Sequence, residues 1–154
     1  MSRRSLTLET YRGLLGQEIG KSEWLLIDQA RINAFADATL DHQYIHTDPE
    51  RARASVFGGT VAHGFLTLSL LSYFADAATP ELMGKVAAVN YGCERLRFIT
   101  PVKCGDRIRG CFKLVEIREK APRQIILCLE VSMEIEGEAR PALVAQWLVL
   151  HMME

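Results

Sequence analysis

The chain lacks an excess of either charge. Eighteen Lys and Arg against nineteen Asp and Glu leave a formal net charge of -1 over 154 residues. With neither a basic stripe nor a long acidic tail, bulk electrostatics give no reason to expect nucleic acid as a partner or a disordered arm. Also missing is any uninterrupted apolar run of the ~18 residues that a membrane-spanning helix needs. The amino-terminal stretch MSRRSLTLETYRGLLGQE meets Glu9, Arg12 and Gln17 before an apolar core can form, which is not the build of a signal peptide. Cys93, Cys104, Cys111 and Cys128 contain no CxxC pair and no His at zinc-finger spacing. They read as reduced thiols in or near strands, which favours the cytosol. No repeat, low-complexity tract or linker divides the chain, so residues 1–154 read as one domain, large enough to bury about two-thirds of its unfolded surface.

What is present changes its hydrophobic period halfway. In IDQARINAFADAT, Asp28 is placed to cap a helix on which Ile32, Phe35 and Ala36 recur at helical spacing. TDPERARAS predicts a short helix capped by Asp48, with Pro49 at its first position. FGGTVAHG is too glycine-rich to be regular, and GFLTLSLLSYFADA, from Gly64 to about Ala77, is apolar nearly all round, as expected of a helix buried on most sides. From Lys85 onward four strand patterns follow: KVAAVNYGCERLRF, DRIRGCFKLVEIRE, RQIILCLEVSMEI and RPALVAQWLVLHMM. Their connections are too short for crossovers, so they should pair antiparallel. With one more strand near Glu23 to Ile27, the prediction is an α+β layout, a curved antiparallel sheet around one buried helix.

Two carboxylates and two imidazoles are gathered in LDHQYIHTDP, Leu40 to Pro49. Asp41 and His46 lie between two predicted helices, on a loop that can fold both side chains toward one point; five residues apart on a continuous helix they would diverge by roughly 140°. An Asp of reference pKa ~3.9 and a His of ~6.5 can both accept a proton from a shared water at neutral pH. The plainer alternative is a turn-forming Asp and a satisfied polar His. His63 and Gly64 fall at the mouth of the apolar helix, where free N–H groups favour an anion or a developing oxyanion. A Gly there also lets a ligand approach the backbone, although a simple loop-to-helix turn would explain it equally. Ser69 and Ser72 on that helix can be bonded back to the preceding turn. Asp41, His42, His46, Asp48 and His63 include enough donors for zinc, but Pro49 and the polar run oppose one helix presenting His42 and His46 together, and no HExxH context exists. No metal is expected.

The segment FADATLDHQYIHTDPERARASVFGGTVAHGFLTLSLLSYF resembles the signature of the MaoC-like dehydratases and (R)-specific enoyl-CoA hydratases, most closely their nodulation protein N-like branch. The pattern is an Asp, four residues, a His, then about sixteen residues to a His-Gly opening a buried helix; Asp41, His46, His63 and Gly64 satisfy it. VNYGCERLRFITPVKCGDRIRG is similar to the strand pair that follows. Gln43, Tyr44 and Ile45 stand where many of the wider family carry Asn-Pro-Leu, a substitution typical of the nodulation branch. The resemblance implies a hot-dog fold, a homodimer with sites near the subunit interface, and hydration of a trans-2-enoyl thioester. Asp41 and His46 would hold and deprotonate the water and the Gly64 N–H would bind the thioester oxygen, with Ser72, His63 and Gln43 in support. No cofactor is implied; coenzyme A is the substrate's carrier, and Arg95, Arg97 and Lys103 are placed to meet its phosphates.

Overall fold

The computed structural model describes residues 4–154; Met1, Ser2 and Arg3, the start of the stretch weighed above as a signal peptide, lie outside the described residues. The first half runs β1 (Ser5–Leu6), α1 (Leu8–Arg12), β2 (Glu18–Lys21), β3 (Leu25–Leu26), α2 (Gln29–Thr39), α3 (Tyr44–Thr47), α4 (Pro49–Arg53), α5 (Gly64–Ser69) and α6 (Leu71–Ala78). The second half is β4 (Glu81–Leu82), β5 (Lys85–Phe98), β6 (Arg107–Ala121), β7 (Gln124–Ile135) and β8 (Leu143–Met153).

Period-two alternation builds the sheet. On β7, Ile125, Leu127, Leu129, Val131, Met133 and Ile135 point inward, and Leu143, Ala145, Trp147 and Val149 of β8 continue that face. The intervening Ile126, Cys128, Leu148 and Leu150 form a smaller cluster on the opposite face. The strands order as β2-β6-β7-β8-β5, with β3 also on β6, and every pair is antiparallel. Register shifts interrupt β5 at three places, and such bulges add the local bend that wraps the sheet. Against its inner face lie Leu66, Leu71, Phe74 and Ala75 of α5 and α6, with Phe74 fully buried. This is a hot-dog fold.

The expected helix from Gly64 to Ala77 exists but is broken at Leu70 into α5 and α6. Hydroxyls supply the cause: Thr67 Oγ1 donates to the Gly64 carbonyl at 2.7 Å and Ser69 Oγ to the Phe65 carbonyl at 2.6 Å, back-bonding of the kind that bends helices. Its burial is one-sided in the single chain, since Phe65 and Tyr73 are 64% and 57% exposed. The strand expected at Glu23 to Ile27 shrinks to β3, because the Ser22 hydroxyl accepts the Gly110 N–H at 3.0 Å that a ladder carbonyl would otherwise take. The parallel pairing of β1 with β4 has no counterpart in the sequence pattern. No helix among the described residues is long and apolar enough to cross a membrane.

Strand β2 passes so close to the end of α6 that a Cβ on Gly20 would fall on the Ala78 carbonyl, 2.7 Å from its carbon. Backbone cannot rotate away as a side chain can, so Gly20→Ala should lower stability by about 1 to 3 kcal/mol, as overpacked sites do. Gly59, whose Cβ would meet nothing within 4 Å, should tolerate Ala with no loss. Urea midpoints of the two variants measure this; equal midpoints would refute the packing argument.

Candidate active site

Helix α2 begins at Asp28, whose Oδ1 accepts the Arg31 N–H at 2.8 Å, and ends at Leu40 in the left-handed region at φ 63°. That reversal turns the chain into Asp41. Asp41 Oδ1 accepts the Gln43 N–H at 3.4 Å, a weak turn-forming bond, and Oδ2 lies 4.0 Å from His63 Nε2. His46 is not on a loop as expected: it sits in α3, where its N–H donates to the Gln43 carbonyl at 2.9 Å. Gln43 thus contributes through its backbone, with its side chain exposed.

His46 is 8% exposed and His63 4%, and their rings stack with centroids 3.8 Å apart and planes at 24°. His46 Nδ1 meets the Val61 carbonyl at 2.6 Å. A carbonyl only accepts, so Nδ1 carries the proton and Nε2 keeps its lone pair. By the same reasoning His63 Nε2 donates to the Asp41 backbone carbonyl at 2.9 Å, leaving a buried Nδ1 with no hydrogen-bond partner. Phe35 of α2 packs on His63 at 5.0 Å. One ligand atom each from Asp41, His46 and His63 lie within 4.8 Å of one another. A single water can span a gap of that order with hydrogen bonds of about 2.8 Å.

Burial pulls His46 below its ordinary 6.5; the Val61 hydrogen bond opposes this, neighbouring His63 reinforces it, and Asp41 opposes it last. The ring is therefore neutral at neutral pH, with Nε2 left as its basic nitrogen. Of the five possible metal ligands, Asp41, His46 and His63 come together, whereas His42 lies 3.7 Å from Asp37 and Asp48 caps α4 through the Arg51 N–H at 3.0 Å.

Gly64 opens α5, and among the described residues its N–H has no hydrogen-bond partner within the chain. The space of its missing Cβ is occupied by the Phe98 ring, 3.0 Å away, instead of standing open to a ligand. An apolar cavity of about 210 Å³ adjoins them, lined by Val61, Ala62, Thr67 and Pro101 among others. Ser72 is two turns further along, roughly 12 Å of helix rise from Gly64. It lies beside Asn90 and Trp147 and makes no hydrogen bond to Asp41 or His46 among the described residues. Arg95, Arg97 and Lys103 are exposed; Lys103 is bridged to Val61, which puts it next to the histidine pair.

Sequence reasoning missed Gln29 and Thr60. Gln29 Nε2 donates to the His46 carbonyl at 2.7 Å, and Thr60 Oγ1 donates to Gln29 Oε1 at 2.5 Å. A Gln one residue after a helix cap carries no periodic signal that would separate it from a solvated face.

Asp41 just past the end of α2, His46 on a one-turn helix and His63 at a helix start thus converge on a hot-dog fold, with the Gly64 N–H and an apolar hollow next along the chain. The model of the MaoC like domain matches residues 11–134, and the chain belongs to the MaoC-like dehydratase family, in its nodulation protein N-like branch. It is 49% identical over 146 residues to Nodulation protein N of Rhizobium leguminosarum bv. viciae, covering 94% of this chain and 91% of that protein. It is 42% identical over 134 residues to 3-hydroxyacyl-thioester dehydratase Z of Mycobacterium tuberculosis, covering 87% and 88%. The (R)-hydratase from A. caviae involved in PHA biosynthesis superimposes with a TM-score of 0.72 at 25% identity, over 88% of this chain and 94% of that one. The protein is an enzyme of the hydro-lyase class.

Because folding lowers the proton affinity of His46, the unfolded chain binds the proton more tightly below about pH 6.5. Protonation then favours unfolding: the stability this neutral His preserves is complete above that pH and is lost as pH falls. The urea midpoint should therefore drop further between pH 7.5 and 5 in the wild type than in His46→Gln. Equal drops would contradict a buried neutral ring.

Proposed function

We propose that the chain adds water reversibly across the C2–C3 double bond of trans-2-enoyl-CoA to give (R)-3-hydroxyacyl-CoA. The observation that carries this reading is the gap shared by Asp41, His46 and His63, all within 4.8 Å, with the His46 tautomer set by Val61. Asp41 and His46 Nε2 hold one water, and one of them accepts its proton as the oxygen bonds to C3. The C2–C3 π electrons move toward the thioester, C2 takes a proton, and atoms balance as one water added. Negative charge developing on the thioester oxygen meets the Gly64 N–H, a contact worth ~3 to 4 kcal/mol for one preorganised donor. Lys103, and the exposed Arg95 and Arg97, would receive phosphates of the carrier, and the four unpaired thiols suit the cytosol.

Asp41→Asn and His46→Gln should each lower turnover of crotonyl-CoA by at least ~10², the range of a positioned acid or base. The double variant should be little worse, because both act on one water. Loss of the enoyl absorbance reports hydration, whereas thiol release would mean thioester hydrolysis and neither signal would mean a binding subunit. Turnover should survive EDTA, since the dyad needs no Lewis acid. Near-normal turnover in either single variant would sink the assignment.

Two copies of the chain complete the site. Strand β5 is 14 residues long and stands at the sheet edge, and Phe65, Tyr73, Val86, Val89 and Phe98 are exposed around it and the helix. Long apolar edges of this kind are usually covered by pairing, and two-fold pairing is the commonest solution. Light scattering on dilution should give a dimer whose specific activity falls as it dissociates. Constant activity in a fully monomeric population would remove the shared site.

A further inference from the structure

The hydrogen bond that sets the His46 tautomer has two ends, His46 itself and Val61, and one side chain braces both. Gln29 Nε2 donates to the His46 carbonyl at 2.7 Å and to Asn33 Oδ1 at 2.9 Å. Gln29 Oε1 accepts from the hydroxyl of Thr60, which is 5% exposed and immediately precedes Val61. The contact with the His46 carbonyl orients the amide: exchanging its O and N would set oxygen against that carbonyl, which only accepts, whereas the Thr60 hydroxyl can serve either atom. The strand stub is tied on its other sides by Cys104 N–H to the Thr60 carbonyl at 2.9 Å, Val61 N–H to the Ile45 carbonyl at 2.9 Å and Ala62 N–H to the Val102 carbonyl at 2.8 Å. Among the described residues, Gln29 is the side chain whose hydrogen bonds join α2 to both α3 and this stub.

We propose that Gln29, acting with Thr60, is the positioning residue of His46: it sets the distance between the His46 backbone and the Val61 carbonyl, and so keeps the proton on Nδ1 and the lone pair on Nε2. The geometric part stands on the contacts above; its consequence for turnover rests on the hydratase reading. Without the amide, the His46 carbonyl and the Thr60 hydroxyl lose their shared partner, the 2.6 Å bond can lengthen, and the other tautomer becomes populated.

The test uses the full chain with ¹⁵N-labelled histidine. Long-range ¹H–¹⁵N spectra should give His46 a single Nδ1–H pattern in the wild type and a mixture in Gln29→Leu. With crotonyl-CoA, kcat should fall about tenfold or more, as modest misplacement of a reacting group does, while KM stays within about threefold. Thr60→Val should move both readouts the same way, Thr60→Ser should restore them by keeping the hydroxyl, and Gln29→Leu with Thr60→Val should be no worse than Gln29→Leu alone. If Gln29→Leu does not fold, the Thr60 pair decides. An unchanged tautomer, or a loss confined to KM, overturns the proposal even while His46→Gln abolishes turnover and the hydratase reading stands. A shifted tautomer in Gln29→Leu of a chain whose wild type does not hydrate crotonyl-CoA would leave the positioning role intact and remove the hydratase reading.

Discussion

The 2.6 Å hydrogen bond from His46 Nδ1 to the Val61 carbonyl is the constraint on which the rest of the site depends. A neutral imidazole has one donor and one acceptor nitrogen, and the bond to Val61 makes Nδ1 the donor and leaves Nε2 as the acceptor. The bond itself contributes about 1 kcal/mol net, but it decides which nitrogen can do chemistry. Keeping it requires the one-turn helix α3 to aim the ring and the isolated bridge of Val61 with Lys103 to hold the carbonyl. It also requires enough burial that the ring stays neutral. Burial and tautomer act together: the first lowers proton affinity, and the second directs what remains.

The same burial has a cost that fold stability alone does not explain. His63 Nδ1 is buried without a partner, and an unsatisfied group of that kind costs about 1 to 3 kcal/mol. The stack with His46 at 3.8 Å and the contact with Phe35 hold the ring there regardless. The large apolar contacts of the sheet with Leu66, Leu71 and Phe74 offset such a term, since burying one such side chain contributes about 1.5 to 3 kcal/mol. The core offsets the unpaired nitrogen.

Much of the scaffold was legible. Alternation marked β5 to β8 to within three residues of each end, and the Asp28 and Asp48 caps marked α2 and α4. These are local signals, carried by residues two to four apart. The break at Leu70 was not read, although Thr67 and Ser69 were there to suggest it. Nor was α3, whose four residues are too few for a period to emerge. In the site, Asp41, His46 and His63 were singled out and do come together. Ser72, grouped with them through family likeness, lies two turns along the helix in the single chain. Gln29 was invisible because its partner Thr60 is 31 residues away, and a hydrogen bond at that separation leaves no pattern in either segment.

Gly64 illustrates how two readings of one residue can both hold. As the first residue of α5 it has an N–H that the helix cannot satisfy, which is the feature an oxyanion would use. Its missing Cβ serves a different neighbour, the Phe98 ring at 3.0 Å, from the far end of β5. The Cβ position and the N–H are distinct parts of that backbone unit, and only the first is taken up by packing. The ring sets an apolar surface, in place of water, against the helix start, and a charge developing before that N–H is screened less than it would be in solvent. A larger residue at 64 would meet the Phe98 ring first, so the glycine secures the packing around that N–H.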